Sequence, residues 1–427
     1  MKKISLPSSI GILFSLLLAF VVCPLFAQAG TVYLPNNAMW DTWLLQEGDD
    51  YHLFWLSGGG IGRAVSKDLI HWKSLPRIPN LAKKGDWDEA GMKMTGSTVK
   101  HNGKFYLCYG SGEGTPIGLI ESDDLVNWKR VGNKPVLPVK EPYSPGPWRD
   151  LVSYWNPEKK EWDGYLYGRH KATYKPCIVH VTSKDYLNWD YHEPLFISEE
   201  YTRDNKGFVN LEVPDVFEFK GKHYVVFAGI RSRKNFTSGR SDASGTWFLM
   251  ADKKEGPYRV TENPLLLGTG MGRYDHYVGH TIMYKGKRLL YHQNWVQRGV
   301  ANQVNWSTPK LLAQQPNGEL ILKYWSDLDT LKEKLLLKKK LITLKPTDGK
   351  KFAEQPIDVA AKDFMLTCDV DATAATSATL CWRLPSKEEL GRKKTYGLKM
   401  EPKKGIYSIV DLKKETKFYA NTYHLYL

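Results

Sequence analysis

The chain has 427 residues, of which 42% are hydrophobic, 25% charged and 13% aromatic, a composition that excludes collagen, coiled coil and extended disorder for its bulk. Its formal charge is +14, yet twenty Lys and Arg against twelve Asp and Glu lie between Leu331 and Leu427. With no zinc-finger spacing, basic helix or nucleic-acid module beside it, this excess reads as a solvated basic tail, so nucleic acid is not an expected partner.

Lys2 and Lys3 precede an apolar run from Ile10 to Phe26, and Ala27-Gln28-Ala29 offers a small-x-small cleavage site. Residues 1–29 therefore read as a cleavable signal peptide, and the protein is expected to be secreted or otherwise extracytoplasmic. No later stretch is apolar enough to span a membrane, so no membrane partner is expected. Export permits disulfides. Cys108 and Cys177 lie in strand-like runs as buried thiols, whereas Cys368 and Cys381, 13 residues apart, are spaced to pair across neighbouring strands. The four spacings do not make a zinc site.

From about Val32 the chain repeats. Ser66-Lys67-Asp68-Leu69-Ile70-His71-Trp72 recurs 56 residues later as Ser122-Asp123-Asp124-Leu125-Val126-Asn127-Trp128, and 61 residues after that as Ser183-Lys184-Asp185-Tyr186-Leu187-Asn188-Trp189. Ahead of the copies lie aromatic strands, Tyr51 to Trp55, Phe105 to Tyr109 and Tyr165 to Tyr167. Two more, His223 to Phe227 and Arg288 to Tyr291, continue the series. Turn pairs Asn102-Gly103, Lys220-Gly221 and Lys285-Gly286 stand where hairpins require them. Five units of several short strands, with almost no amphipathic helix, predict an all-β fold, a five-bladed β-propeller over residues 30–328. The recurring Trp residues read as packing between blades.

Residues at equal phase in a propeller occupy equivalent places around its axis. About ten residues before each aromatic strand stand Asp41, Thr95 with Ser97, Asp150, Glu212 and His280, at steps of 54, 55, 62 and 68. Three carboxylates converging on one end of a channel raise one another's pKa, a cost that function would justify. Any one acid alone fits a turn cap or a partner for Arg149 or Arg63. Three in phase suit glycoside hydrolysis, which needs one protonated carboxyl for the leaving oxygen and another ionised to attack carbon or activate water. A carbohydrate is the expected ligand.

The same residues carry a family resemblance. Met39-Trp40-Asp41 with Tyr51-His52-Leu53-Phe54, the run Gly62 to Trp72, Thr95-Gly96-Ser97-Thr98, Arg149-Asp150 and Glu212-Val213-Pro214-Asp215 together resemble glycoside hydrolase family 32, the β-fructosidases, across nearly the whole propeller. The resemblance implies a secreted, retaining β-fructosidase. Asp41 would be its nucleophile, Asp150 its transition-state stabiliser and Glu212 its general acid/base. Arg149 would keep Asp150 ionised and hold sugar hydroxyls. Trp40, Trp55, Ser97 and His280 complete the expected substrate-binding set, although core packing explains the tryptophans equally well. No cofactor is required, no catalytic metal is expected and a monomer is assumed.

The sequence also departs from that pattern. Thr42-Trp43-Leu44 replace Pro-Asn-Gly, Leu56-Ser57-Gly58 stand where a Gln is usual, Leu151 replaces the Pro after Arg-Asp, and Val213 replaces a Cys. The fifth unit, Gly279-His280 leading to Leu290-Tyr291-His292, is more similar to family 43, the arabinanases and xylosidases, in which an axial His sits beneath the acids, sometimes near a structural cation. An inverting hydrolase of that type and a non-catalytic sugar-binding propeller therefore stand as alternatives.

Elsewhere, Gly58-Gly59-Gly60-Ile61-Gly62 and Gly268-Thr269-Gly270-Met271-Gly272 read as tight turns rather than nucleotide loops. The stretch Asp86-Trp87-Asp88-Glu89 reads as a solvated loop, with a lining of the cleft entrance as the alternative. Residues 329–349 read as a linker with a lysine-rich face. Residues 350–427 form a short, partial β-sandwich domain, smaller than the roughly 100 residues that a complete two-sheet sandwich takes.

Overall fold

A computed structural model describes residues 39–199, 207–232, 242–268, 276–296 and 303–332, together with the strands 378–382, 396–401, 406–411 and 416–420. Contacts divide the chain into one unit of residues 1–31 and 331–363 and another of residues 32–330 and 364–427. All the described strands belong to the second. The expected signal peptide, most of the linker and the Cys368–Cys381 pairing lie outside the described residues.

The propeller is as the repeat predicts. Blade 1 contains Trp40–Glu47, Asp50–Ser57, Gly60–Ser66 and Lys73–Ile78. Blade 2 contains Met94–His101, Lys104–Gly110, Ile117–Ser122 and Lys129–Arg130. Blade 3 is built on Arg149–Asn156, Glu161–Arg169 and Pro176–Ser183. Blade 4 runs from Glu212–Phe219 to Arg259–Gly268, and blade 5 from Tyr277–Tyr284 to Leu320–Lys323. In each blade the strands pair antiparallel, beginning with the first in sequence. The first strands of successive blades touch, and that of blade 5 closes on blade 1. The described C-terminal strands form one four-stranded antiparallel meander.

The repeated Ser-x-Asp motif makes the turn that ends the third strand of blades 1, 2 and 3. Ser183 Oγ accepts the Tyr186 N–H (2.9 Å) and donates to Asp185 Oδ1 (3.1 Å). Asp185 Oδ1 in turn accepts the N–H groups of Leu187 and Asn188, both at 2.8 Å. Ser66 with Asp68 repeats these contacts, and Ser122 with Asp124 repeats the serine-to-aspartate bond and the two N–H groups on the aspartate. The turn requires positive φ at the next residue, 61° at Leu69, 59° at Leu125 and 64° at Tyr186, a cost that the side-chain bonds offset. At Asp124 the N–H groups of Asn127 and Val126 hold the carboxyl well below the usual carboxylate range. The predicted hairpin turns have positive φ at both central residues, as at Asn102 (50°) and Gly103 (82°), the geometry that matches strand twist.

Aromatic and branched side chains fill the spaces between blades. Cys108 and Leu119 of blade 2 pack with Trp162, Cys177, Val179 and Tyr186 of blade 3, and Tyr165 and Ile178 of blade 3 pack with Val225, Phe227 and Trp247 of blade 4. Cys108 and Cys177 are buried free thiols, as expected. One expectation is corrected: the Asp86–Glu89 stretch is not a solvated loop. Asp88 is buried, ion-paired to Arg130 (2.6 Å) and bonded by the Tyr109 hydroxyl, and Trp87 stacks on Tyr109. Arg130, 42 residues along, is what draws it inward.

Replacing Ser183 with Ala strands the buried Tyr186 N–H, and losing one partner of a buried bond costs about 1–3 kcal/mol. Chemical denaturation should show Ser183→Ala destabilised by that amount. An unchanged midpoint would mean that the turn holds itself.

Candidate active site

Every innermost strand starts with an irregularity. In blade 1 the pairing runs from Trp40↔Leu56 to Trp43↔Phe54, so Asp41 and Thr42 oppose Trp55 alone. The same two-against-one bulge falls between Met94 and Ser97, opposite Tyr165–Tyr167 in blade 3, between Glu212 and Asp215, and between Tyr277 and His280. A bulge bends the strand and re-aims side chains. Its first residue has positive φ at Asp41 (47°), Asp150 (66°), Val213 (52°) and Val278 (55°). Aspartate tolerates that region, but the branched valines are strained there.

This register refines the phase read from sequence. Asp41, Thr95 and Asp150 are true equivalents. Glu212 stands one place earlier, level with Trp40, Met94, Arg149 and Tyr277. His280 stands two places deeper, level with Ser97 and Asp215.

The three predicted acids come together around Arg149. Its guanidinium bonds Glu212 Oε1 (2.5 Å) and Glu113 Oε2 (2.7 Å), places Nε 3.6 Å from Asp150 Oδ2, and lies over the Tyr167 ring. Asp150 Oδ2 accepts the Val213 N–H (3.1 Å). Asp41 Oδ2 accepts the Thr95 hydroxyl (2.7 Å), while the Asp41 N–H donates to Gln293 Oε1 (2.9 Å). Burial pushes the Asp41 carboxyl up to about 6, with the Thr95 bond pulling down and Glu212 adding to the rise. Burial pushes Asp150 up to about 8; Arg149 opposes that, and Glu212 and Asp41 reinforce it. Arg149 thus acts on Asp150 in the expected direction, toward the ionised form, against its burial. The arginine spends its head-on bonds on Glu212 and Glu113, and its 3.6 Å approach to Asp150 does not offset burial.

Of the other expected residues, Trp40 is half-buried at the start of the first bulge. Trp55 is buried with its ring flat over Gly62, where a Cβ would fall 2.1 Å from it. Ser97 is committed between blades, donating to the Leu151 carbonyl (2.7 Å). His280 is buried and stacked on Tyr291, its Nε2 without a partner, and burial lowers its pKa. Asp215, one blade back, accepts the Tyr154 hydroxyl and the Thr281 N–H (2.6 Å). Sequence reasoning passed over Gln293, Glu113, Tyr167 and Asp215 as site residues. Asp215 was visible in the Glu-Val-Pro-Asp stretch, Tyr167 faces Arg149 across a strand pair within blade 3, and Gln293 and Glu113 act across blades. Among the described residues no group of three or more His, Cys, Asp or Glu side chains is arranged to hold a metal ion, and no helix is long and apolar enough to cross a membrane.

The profile of the glycosyl hydrolases family 32 N-terminal domain matches residues 46–262, half of the chain. The chain belongs to family 32. It is a glycoside hydrolase of the five-bladed propeller type, and the match contains Asp150 and Glu212, with Asp41 just ahead of it. A levanase from Bacillus sp. (strain L7) is 28% identical over 293 residues, which are 61% of this chain and 28% of the levanase. The match therefore spans little more than a quarter of that relative's length. Among solved structures, the family 32 β-fructofuranosidase of Bombyx mori superposes with a TM-score of 0.57 at 17% identity, over 88% of this chain and 78% of its own. The α-L-arabinanase of Cellvibrio cellulosa reaches 0.51 at 16% identity, over 69% and 98%. Both likenesses establish the shared propeller fold.

An acid that keeps its proton to about pH 8 when folded, but releases it near 3.8 when solvated, makes the fold lose stability as pH rises through that interval. Asp150→Asn removes this dependence. Its melting temperature should exceed that of the wild type at pH 8, by roughly 1–2 °C for each 1 kcal/mol recovered in a propeller of about 300 residues. The gain should vanish near pH 4. Equal melting curves at pH 8 would contradict the protonated, buried Asp150.

Proposed function

We propose that this protein is an exported, retaining β-fructosidase that releases fructose from fructans or sucrose. The observation that carries this reading is the convergence of Asp41, Asp150 and Glu212 on bulged inner strands, with Arg149 bonded to Glu212 and beside Asp150, in a family 32 chain. The levanase relative and the β-fructofuranosidase fold support the sugar class. The apolar run before Gly30 supports export.

In this reading an Asp41 carboxylate oxygen attacks the anomeric carbon as the glycosidic C–O bond breaks, and Glu212 gives its proton to the leaving oxygen. Arg149, bonded to Glu212 Oε1, holds the carboxyl in place for that transfer. Glu212 then takes a proton from water as that water displaces Asp41, which restores both groups and retains configuration. Asp150 accepts hydrogen bonds from sugar hydroxyls and, in its ionised form, stabilises the positive charge developing on the ring. Trp40, half-buried beside Asp41, offers an apolar edge to the sugar. No cofactor takes part.

The test is hydrolysis of sucrose, inulin, levan and arabinan by protein beginning at Gly30. Fructose release is expected, reduced by at least ~100-fold in both Asp41→Asn and Glu212→Gln, the scale on which a positioned proton-transfer group acts. The acidic limb of kcat/KM should fall near pH 6, because Asp41 attacks only when ionised and its carboxyl titrates at about 6. Arabinose release, or sugar binding without turnover, would overturn the proposal.

A further inference from the structure

The bulge removes the Asp41 N–H from the strand ladder, and a backbone donor inside the protein must find another partner. That partner is on the opposite side of the ring closure, 252 residues away: Gln293 Oε1, 2.9 Å from the Asp41 nitrogen. Because an N–H can bond only to the amide oxygen, this contact also fixes which way the Gln293 amide faces.

Gln293 stands opposite Tyr277 in blade 5. The equivalent positions in blades 1 to 4 are Leu56, Gly110, Tyr167 and Ala228. Blade 5 alone therefore has an amide here, at the point where it meets the blade that bears Asp41. Gln293 is fully enclosed. Its own carbonyl lies 2.8 Å from His292 Nδ1, and a carbonyl only accepts, so that nitrogen carries the proton and Nε2 is left to accept. Lys310 Nζ lies 3.0 Å from His292 Nε2 and 3.0 Å from the Thr308 carbonyl. The His276 ring abuts His292 edge-on. A buried lysine and histidine thus brace the segment from which the amide reaches out.

We infer that Gln293 is a positioning residue for Asp41: its amide oxygen holds the left-handed backbone that aims the Asp41 carboxylate at the sugar. The inference rests on the proposed role of Asp41 as nucleophile. Asp41 is faced by Glu212, Asp150, Arg149 and the Thr95 hydroxyl. Behind Gln293 stand Trp306 on the paired strand and, through His292, Lys310 and His276. Gln293 adds no charge to this set, so it can orient the carboxylate without changing its ionisation.

Gln293→Met keeps the bulk and removes the acceptor, whereas Gln293→Glu keeps an acceptor and adds a charge. In the full mature chain, Gln293→Met should lower kcat ~10–100-fold with KM within about two-fold and the fold intact, the mark of an interaction needed in the transition state rather than in binding. Gln293→Glu should recover most of kcat and move the acidic limb upward by about one pH unit, as a like charge beside Asp41 requires. A Gln293→Met enzyme with unchanged kcat, or a Gln293→Glu enzyme with no shift in its acidic limb, would overturn the inference. Titration of the Asp41 side-chain carbon signal by NMR, assigned by its loss in Asp41→Asn, gives a readout independent of turnover. The signal should titrate higher in Gln293→Glu than in the wild type, and equal titration would overturn the contact. A wild type inert on every fructoside would overturn the functional reading alone, and this titration would still decide the role of Gln293.

Discussion

The site depends on a backbone irregularity. Each inner strand admits one extra residue at its start, and the N–H released there must be satisfied from outside the strand. In blade 4 the freed Val213 N–H bonds to Asp150 of blade 3, and in blade 1 the freed Asp41 N–H bonds to Gln293 of blade 5. One requirement therefore does two jobs. It locks adjacent blades in register at the mouth of the channel, and it fixes the backbone from which the acids project. Positive φ at Asp41 and Val213 is strain that these bonds between blades sustain.

Electrostatics set against stability gives the site its chemistry. Three carboxylates share the burial that raises Asp41 to about 6 and Asp150 to about 8, and Arg149 relieves only part of it because it is divided between Glu212 and Glu113. A packed apolar cluster would be more stable in the same place. Burial thus holds Asp41 and Asp150 above ordinary carboxylate values, closer to neutral pH. Below it, Asp215 ties Tyr154 of blade 3 to Thr281 of blade 5 and supports the inner ring without exposure to substrate.

Much of this was legible in the sequence because the blades are built from local contacts. The Ser-x-Asp turns are closed by bonds spanning two or three residues, and the hairpins by adjacent residues of positive φ, so both leave a pattern in linear order. The three acids were legible through their spacing, since each lies near the start of an inner strand. What the spacing left open was the bulge itself. One extra residue shifts Glu212 a place earlier and His280 two places deeper than simple periodicity implies. Contacts between residues far apart in the chain leave no local trace: Gln293 lies 252 residues from Asp41, Glu113 lies 36 from Arg149, and Arg130 draws Asp88 inward across 42. Trp55, an aromatic residue whose sequence position fits a ligand role and core packing equally, is packed over Gly62.

The covalent step is the sharpest consequence of placing Asp41 on a bulge, aimed by Gln293 and faced by Glu212. A fructoside with an activated leaving group does not need acid assistance to depart, so Glu212→Gln should form the fructosyl-enzyme and hydrolyse it slowly. Rapid quenching, digestion and mass spectrometry should then find one fructosyl group on the peptide that contains Asp41. An adduct on Asp150, or turnover with inverted product and no adduct at all, would contradict the assignment of Asp41 as the nucleophile.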